Sequence, residues 1–491
     1  MNEHHDLAAL IRADTPLLAI DTHEELEVIA SFQRALAQSL RPLYAWSITT
    51  GLKRLDMEES APKPMSSGEV LDAIRDMRQK AVFLLLDYTP FLRYVVTLRQ
   101  LREIAIRQGV AAHTVALVGA NLELPKELEA LAVRFSLSLP NEAELDKIVR
   151  EEALNYSREH SGRRVQIHAQ ALKAVVRNLK GLAGSDARRI ARRIIATDGM
   201  ITDADLPAVA KAKFELLNKA GVLSFEYEPI AFHDVAGLRR LKRWIEQRRA
   251  VFMGEQTTVP LDPPKGILLL GVQGTGKSLA AKAVAGGFQV PLLRLDMASI
   301  YNKYHGETEK NLRESLVNAE VMAPCVLWID EVEKAFATSD SDGGTSQRIL
   351  GYFLTWMAER KSKIFLVATA NAIDKLPPEL LRKGRFDEIF FVDLPAADVR
   401  TELFRLHLAK RNLKPEEFDL EALSEVSAGF SGAEIEQGVV SALYAAHGEG
   451  ARLDQRHLIE ELRHTRPLSV VMAEKVAQLR AWAAERTVPA D

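Results

Sequence analysis

At 491 residues, with 47% apolar and 27% charged side chains, the chain is long enough for about three domains and lacks the low-hydrophobicity signature of disorder. Lys and Arg total 64 against 67 for Asp and Glu, so a net charge of −3 supplies no field for a polyanion and argues against nucleic acid as a partner. The single cysteine, Cys325, excludes an internal disulfide; with no secretion-type start and no apolar run near the roughly 20 residues of a membrane span, the expected compartment is the cytoplasm.

In chain order, strands are expected at Leu17 to Ile20, Tyr44 to Ile48, Ala81 to Leu86, Val115 to Val118 and Phe135 to Leu139, followed by helices. The first strand runs into Asp21-Thr22-His23-Glu24-Glu25, whose carboxylates would repel phosphate. Leu26, Ile29, Leu36 and Leu40 supply an apolar helix face for this module. Asp56 to Gly68, rich in Pro, Ser and charge, reads as a surface loop. Arg188, Arg189, Arg192 and Arg193 fall on one face of a later helix and read as a solvated face. Glu226 to Pro229 breaks the helical pattern and marks a boundary.

The second half opens with a strand at Gly266 to Leu270, a glycine-rich turn and a helix from Lys277 to Phe288. Strands at Leu292 to Leu295, Val326 to Ile329, Ile364 to Ala368 and Ile389 to Val392 alternate with helices, which implies a parallel α/β sheet. From Ala397 the pattern is helical, with Val399, Leu403 and Leu406 on one face, and no strand is expected before Asp491. The halves read as an internal repeat: Asp87 pairs with Asp330, Asn121 with Asn371, Pro140 with Pro395 and Gly181 with Gly429, at a spacing of about 250 residues.

Gly271-Val272-Gln273-Gly274-Thr275-Gly276-Lys277-Ser278 sits between a strand and a helix that continues with Leu279. Backbone N–H groups on such a turn, with the positive end of the helix dipole, suit phosphate oxygens; Lys277 adds a mobile cation and Ser278 a hydroxyl for Mg²⁺. The apolar strand ending Asp330-Glu331 supplies one carboxylate to hold Mg²⁺ through water and a second to orient or deprotonate an attacking water. Ala368-Thr369-Ala370-Asn371 ends the next strand with an amide, and Arg382 and Arg385 are spaced for bidentate contact with phosphate.

Together these residues resemble the AAA family of ATPases, in the branch with the second region of homology, over roughly Phe232 to Gly450. The resemblance implies that Asn371 senses the γ-phosphate and that Arg382 and Arg385 reach ATP bound to the next subunit of a homo-oligomeric ring, usually a hexamer. It further implies that Asp234, Val235, Ala236 and Gly237 hold adenine, and that Gly432 and Ala433 form the lid edge. Tyr304 and His305 lie where the first pore loop of translocating rings grips a polypeptide, and Asp340 to Ser346 falls where a second such loop would be, although a surface loop describes it better. Over its whole length the chain is similar to the uncharacterised AAA ATPases of algal plastid and cyanobacterial genomes. Val272, Gln273, Glu333 and Lys383 depart from the family's usual residues without removing a catalytic atom.

The expected fold is therefore α/β: a P-loop AAA+ large domain at 227–396 with a helical lid at 397–491, preceded by a degenerate AAA-like module at 1–142 and its helical subdomain at 143–226. The expected function is Mg²⁺-dependent hydrolysis of ATP to ADP, coupled to remodelling of an unknown protein client. The alternative is a nucleotide-gated scaffold that changes assembly state without threading; a DNA-remodelling ATPase is disfavoured by the charge.

Overall fold

The computed structural model describes all residues except 1–2, 58–62, 107–110, 161, 219–220, 227–229, 231, 255–258, 298–299, 301–307, 336–344 and 383. The chain divides into two compact units, Met1–Val165 with Lys180–Gly199, and Gln166–Leu179 with Met200–Asp491. The helical region expected at 143–226 is shared between them. Helices Glu142–Glu159 and Gly184–Asp198 belong to the first, helices Ala169–Leu179 and Leu206–Leu217 to the second.

The first unit is built on strands β1 (Leu17–Asp21), β2 (Leu43–Ser47), β3 (Gly51–Arg54), β4 (Val82–Leu86), β5 (Thr114–Gly119) and β6 (Ala132–Arg134). They run in the order β3-β2-β4-β5-β1-β6, and every pair is parallel except β2 with β3. Alternate residues of the central strands feed two cores: Leu17, Phe83 and Val115 on one face, Leu18, Val82 and Ala116 on the other. Burial on both faces explains why these strands read as continuous apolar runs.

Two sequence expectations change here. The last strand forms at Ala132–Arg134 rather than 135–139; Phe135 and Leu137 are apolar because they pack on the core, and only Phe135 N continues the pairing, donating to the Ala19 carbonyl at 2.9 Å. Helix Glu25–Leu36 buries Val28, Phe32 and Leu36, spaced i, i+4 and i+8, while Leu26 and Leu40 stand 83% and 99% exposed. The helix ends before Leu40, so that residue has no helical face to join.

The arginine face is largely exposed, as expected, but two of its members also reach a buried carboxylate. Arg188 Nη1 and Arg192 Nε donate at 3.0 and 2.7 Å to Glu152, a buried residue of the facing helix. Burial alone would raise the Glu152 pKa, but the hydrogen bonds from Arg192 and Arg188 outweigh it and hold the carboxyl below its usual range.

Helix Gly184–Asp198 starts at Ala183, which offers no side-chain cap. Its orphan donor at Ser185 is met instead by Glu24: Ser185 N donates to Glu24 Oε1 at 3.1 Å, and the Ser185 hydroxyl donates to the same oxygen. Glu24 follows β1 at the place where the second unit carries its glycine turn. A carboxylate of the protein thus occupies the helix start.

The second unit opens with the two-stranded parallel pair β7 (Gln166–Ile167) and β8 (Met200–Ile201). Its main sheet holds β9 (Leu223–Glu226), β10 (Gly266–Gly271), β11 (Leu292–Leu295), β12 (Cys325–Ile329), β13 (Ile364–Ala370), β14 (Glu388–Val392) and β15 (Val488–Pro489). The order is β15-β14-β10-β13-β12-β11-β9, with only β9 antiparallel to its neighbour. Taken in chain order, five adjacent strands of each sheet share one arrangement: β2-β4-β5-β1-β6 in the first, β11-β12-β13-β10-β14 in the second. The expected repeat is therefore visible in topology. Cys325 is buried in β12.

Helices Ala397–Ala409, Leu420–Val426, Gly432–Gly448 and Gln455–His464 pack around Phe404, Leu423, Ile435 and Leu458 as a lid. The chain then returns to the sheet. Helix Ala473–Ala483 buries Val476, Leu479 and Ala483 in the sheet's core, and β15 pairs with β14, a strand too short to leave a periodic signal in the sequence. Among the described residues no helix is long and apolar enough to cross a membrane.

Glu24→Ala leaves the start of helix Gly184–Asp198 without its acceptor. Amide exchange over its first turn is expected to accelerate about tenfold, the scale of a lost cap on a helix dipole, with Glu24→Gln milder. Hydrogen-exchange mass spectrometry checks this; unchanged protection of that turn would contradict it.

Candidate active site

β10 ends at Gly271, and the chain turns through Val272–Gly276 into helix Lys277–Phe288. Gly274 has φ of +78°, which favours glycine, and its carbonyl accepts from Ala433 N at 3.1 Å. A Cβ there would lie 2.9 Å from Ser431 Oγ, so the turn is pressed against the lid edge.

The Lys277 ammonium is buried and donates to the carbonyls of Gly271 and Val272 at 2.9 and 2.6 Å. Burial pushes its pKa down to about 8, while Glu333, Asp330 and Glu331 act in the opposite direction.

β12 delivers Asp330 and Glu331 at the same end of the sheet. Asp330 Oδ1 accepts from Thr369 Oγ1 at 2.6 Å and lies 3.5 Å from Ser278 Oγ; its other oxygen is 3.4 Å from the Arg294 guanidinium. Glu331 has φ of +49°, a left-handed conformation that costs a non-glycine residue on the order of 1–3 kcal/mol. The turn sends its carboxylate to different partners. Glu331 Oε1 accepts from Asn371 Nδ2 at 3.1 Å, Oε2 pairs with Lys334 at 2.7 Å, and its N–H donates to Thr369 Oγ1 at 3.1 Å. Adjacent pairing of β13 with β12 is what brings Thr369 and Asn371 here. Glu333, the departure noted in the sequence, is buried and accepts from Asn371 N at 2.9 Å; burial raises its pKa.

These residues surround a cavity of about 700 Å³. Of those singled out in the sequence, Val235, Ala236, Gly237, Gln273, Gly274, Thr275, Gly276, Lys277, Ser278, Leu279, Asp330, Glu331, Asn371, Gly432 and Ala433 line it. Gly271 and Val272 act from behind, through the carbonyls that hold Lys277. Asp234 is outside the lining, with a carboxylate 3.4 Å from the His233 ring. Arg382 is exposed and Arg385 half-buried, with its guanidinium donating to the Leu354 carbonyl; neither lines the cavity. Tyr304, His305 and residues 340–344 lie outside the described residues.

Among the lining residues that the sequence reading passed over are Thr369, His407, Glu436 and Pro489–Asp491. Thr369 was within reach, two places before Asn371 at the end of an apolar strand. The others carry no motif.

Ser278 and Asp330 offer two hard oxygen donors beside the turn, a set that suits Mg²⁺, which keeps waters and takes one or two protein oxygens together with phosphate. Among the described residues no group of three His, Cys, Asp or Glu side chains could cage a metal without such help.

Comparison with known proteins follows this geometry. Residues 267–394 match the family described as "ATPase family associated with various cellular activities (AAA)". Residues 3–137 match the N-terminal domain, and residues 143–220 the second domain, of SpoVK-like AAA ATPases. The "Uncharacterized AAA domain-containing protein ycf46" of Pyropia yezoensis is 34% identical over 494 residues, covering 99% of this chain and 98% of that protein. Its namesake in Guillardia theta is 36% identical over 97% of this chain and 94% of its own. A "Proteasome-activating nucleotidase" of Aeropyrum pernix is 35% identical over 50% of this chain and 62% of its own.

Thr369→Val removes the hydroxyl that both Asp330 and the Glu331 amide use. Its Mg²⁺-dependent ATP affinity is expected to fall about tenfold, as for a lost charge-assisted hydrogen bond, with Thr369→Ser close to the parent. Calorimetric titration at several Mg²⁺ concentrations decides it; equal affinities for Val and Ser would count against a role for the hydroxyl.

Proposed function

The chain belongs to the AAA ATPase family, with SpoVK-like N-terminal domains, and from that premise we propose that it is a Mg²⁺-dependent ATP hydrolase acting as a homo-oligomeric ring that remodels a protein client. The observation that carries the hydrolytic reading is the divergence of Asp330 and Glu331 at the end of β12, one toward Ser278 and the other toward Asn371.

In this reading the turn's backbone N–H groups and Lys277 receive the phosphates, and Ser278 and Asp330 hold Mg²⁺. Held there by Ser278 and Asp330, Mg²⁺ would supply positive charge to offset that of the phosphate oxygens. Glu331 orients the attacking water and takes its proton, and Asn371 keeps that carboxylate in place beside the γ-phosphate. Arg382 and Arg385, outside the cavity of their own chain, serve the site of a neighbouring copy, as arginine fingers do. That division of labour requires contact between copies, and the family resemblance supports a ring, usually a hexamer.

Remodelling of a client is supported by the similarity to the proteasome-activating nucleotidase over half of the chain, and to a "Cell division cycle protein 48 homolog" of Archaeoglobus fulgidus, 33% identical over 42% of it. Tyr304 is the residue proposed to grip the client. Tyr304→Ala should then keep basal ATPase and lose client unfolding, whereas retained assembly-dependent binding without any unfolding in the parent protein favours the scaffold reading.

Glu331→Gln is expected to bind ATP while turnover drops by about 10²–10⁴, the range of a general base. Lys277→Ala should lose nucleotide binding. Turnover near the parent rate in Glu331→Gln would remove Glu331 from the chemistry.

Arg385→Ala is expected to lower turnover by about 10³ or more. Mixing it with Lys277→Ala subunits should recover part of the activity at shared sites. Intact mixed rings without recovery would place Arg385 outside the neighbour's site.

A further inference from the structure

One wall of the cavity is made by Pro489, Ala490 and Asp491, which no motif marks and which the proposed chemistry leaves without a role. Their hydrogen bonds point to one. Helix Arg239–Met253 begins after Leu238, a residue in the left-handed region (φ 56°, ψ 35°) with no side-chain cap. Its first N–H groups lack intrahelical acceptors, as at any helix start.

Those donors are met from the far end of the sequence, up to 252 residues further along the chain. Arg239 N donates to Asp491 Oδ1 at 3.2 Å, and Arg240 N and Leu241 N both donate to the Ala490 carbonyl, at 3.1 and 3.0 Å. The capping segment is itself anchored. β15 lies parallel to β14, Ala490 N donates to the Phe391 carbonyl at 2.9 Å, and Ala490 is 1% exposed within the core that holds Leu241, Ile245 and Phe390.

What the helix start positions is the loop before it. Val235 to Leu238 lines the cavity, and Gly237, at φ of +63°, is hemmed in: a Cβ there would lie 3.0 Å from Val399 of the lid and 3.5 Å from Asp491 Oδ1. Gly237 N donates to Glu402 of the same lid helix at 3.2 Å. The loop is thus fixed between the lid on one side and the capping segment on the other.

We propose that residues 489–491 are a positioning element for the nucleotide base: by capping helix Arg239–Met253 they hold the Val235–Leu238 loop against the base and close that end of the cavity. The inference rests on reading the cavity as an ATP site. It adds that the affinity contributed by the base depends on this segment, while the affinity contributed by the phosphates, received by the turn and Lys277, does not.

The test compares Mg²⁺-ATP with Mg²⁺-tripolyphosphate, which has the phosphates and no base, by calorimetry on the full chain. Ala490→Glu places a charge in a core position and expels the segment. It is expected to weaken ATP about tenfold, the scale of a lost helix cap, and to change tripolyphosphate binding by less than about twofold. Asp491→Ala, at a partly exposed side chain whose loss leaves the core intact, should weaken ATP by about threefold, and Asp491→Asn, which keeps an acceptor oxygen, should stay near the parent. Parallel weakening of both ligands, or unchanged ATP affinity in both Ala490→Glu and Asp491→Ala, overturns the proposal. A parent protein that binds neither ligand would overturn the ATP-site reading itself, a different result from either.

Discussion

A helix start carries backbone N–H groups that its own turns cannot satisfy, and much of this protein is arranged around where those groups find an acceptor. Helices Gly184–Asp198, Arg239–Met253 and Lys277–Phe288 are among those that begin without a local side-chain cap. The first is met by Glu24, and the second by Ala490 and Asp491. The third follows the glycine turn and borders the cavity, where donors of this kind and the helix dipole suit phosphate.

This contrast gives the two related sheets their different chemistry. Both keep the same order of five adjacent strands, so both present a loop after the first strand toward the start of a lid-type helix. In the second unit that loop is rich in glycine, and its carbonyls hold Lys277 back against the strand end. In the first unit it brings a carboxylate to the helix start. A carboxylate so placed occupies donors of the lid-type helix and adds negative charge beside the loop, which repels phosphate. The first unit therefore keeps the strand order without a glycine turn, and the charge of its loop disfavours triphosphate.

Around the cavity, hydroxyl and amide groups set what each carboxylate does. Thr369 stands between Asp330 and the Glu331 backbone, and the left-handed turn at Glu331 sends the second carboxylate to Asn371. The strain of that turn is offset by three contacts, from Thr369, Asn371 and Lys334. Buried Glu333, beneath the Asn371 amide, shows that a longer acid is accommodated where the family usually has an aspartate.

The reading of the chain alone determined the parallel sheets, the extent of helix Lys277–Phe288, the repeat and about half of the cavity lining, because doubly buried strands and a glycine turn leave local, contiguous signals. It placed Leu26 and Leu40 in a core they do not reach, and it did not show that Arg188 and Arg192 pair with buried Glu152, because side-chain spacing does not say where a helix stops or what faces it. Tertiary structure alone decided that Glu24 closes one helix start, that Thr369 links two carboxylates, and that Pro489–Asp491 walls the cavity. Each of these joins residues far apart in the chain through a few hydrogen bonds, and contacts of that kind have no period, no composition and no fixed spacing by which a sequence could announce them.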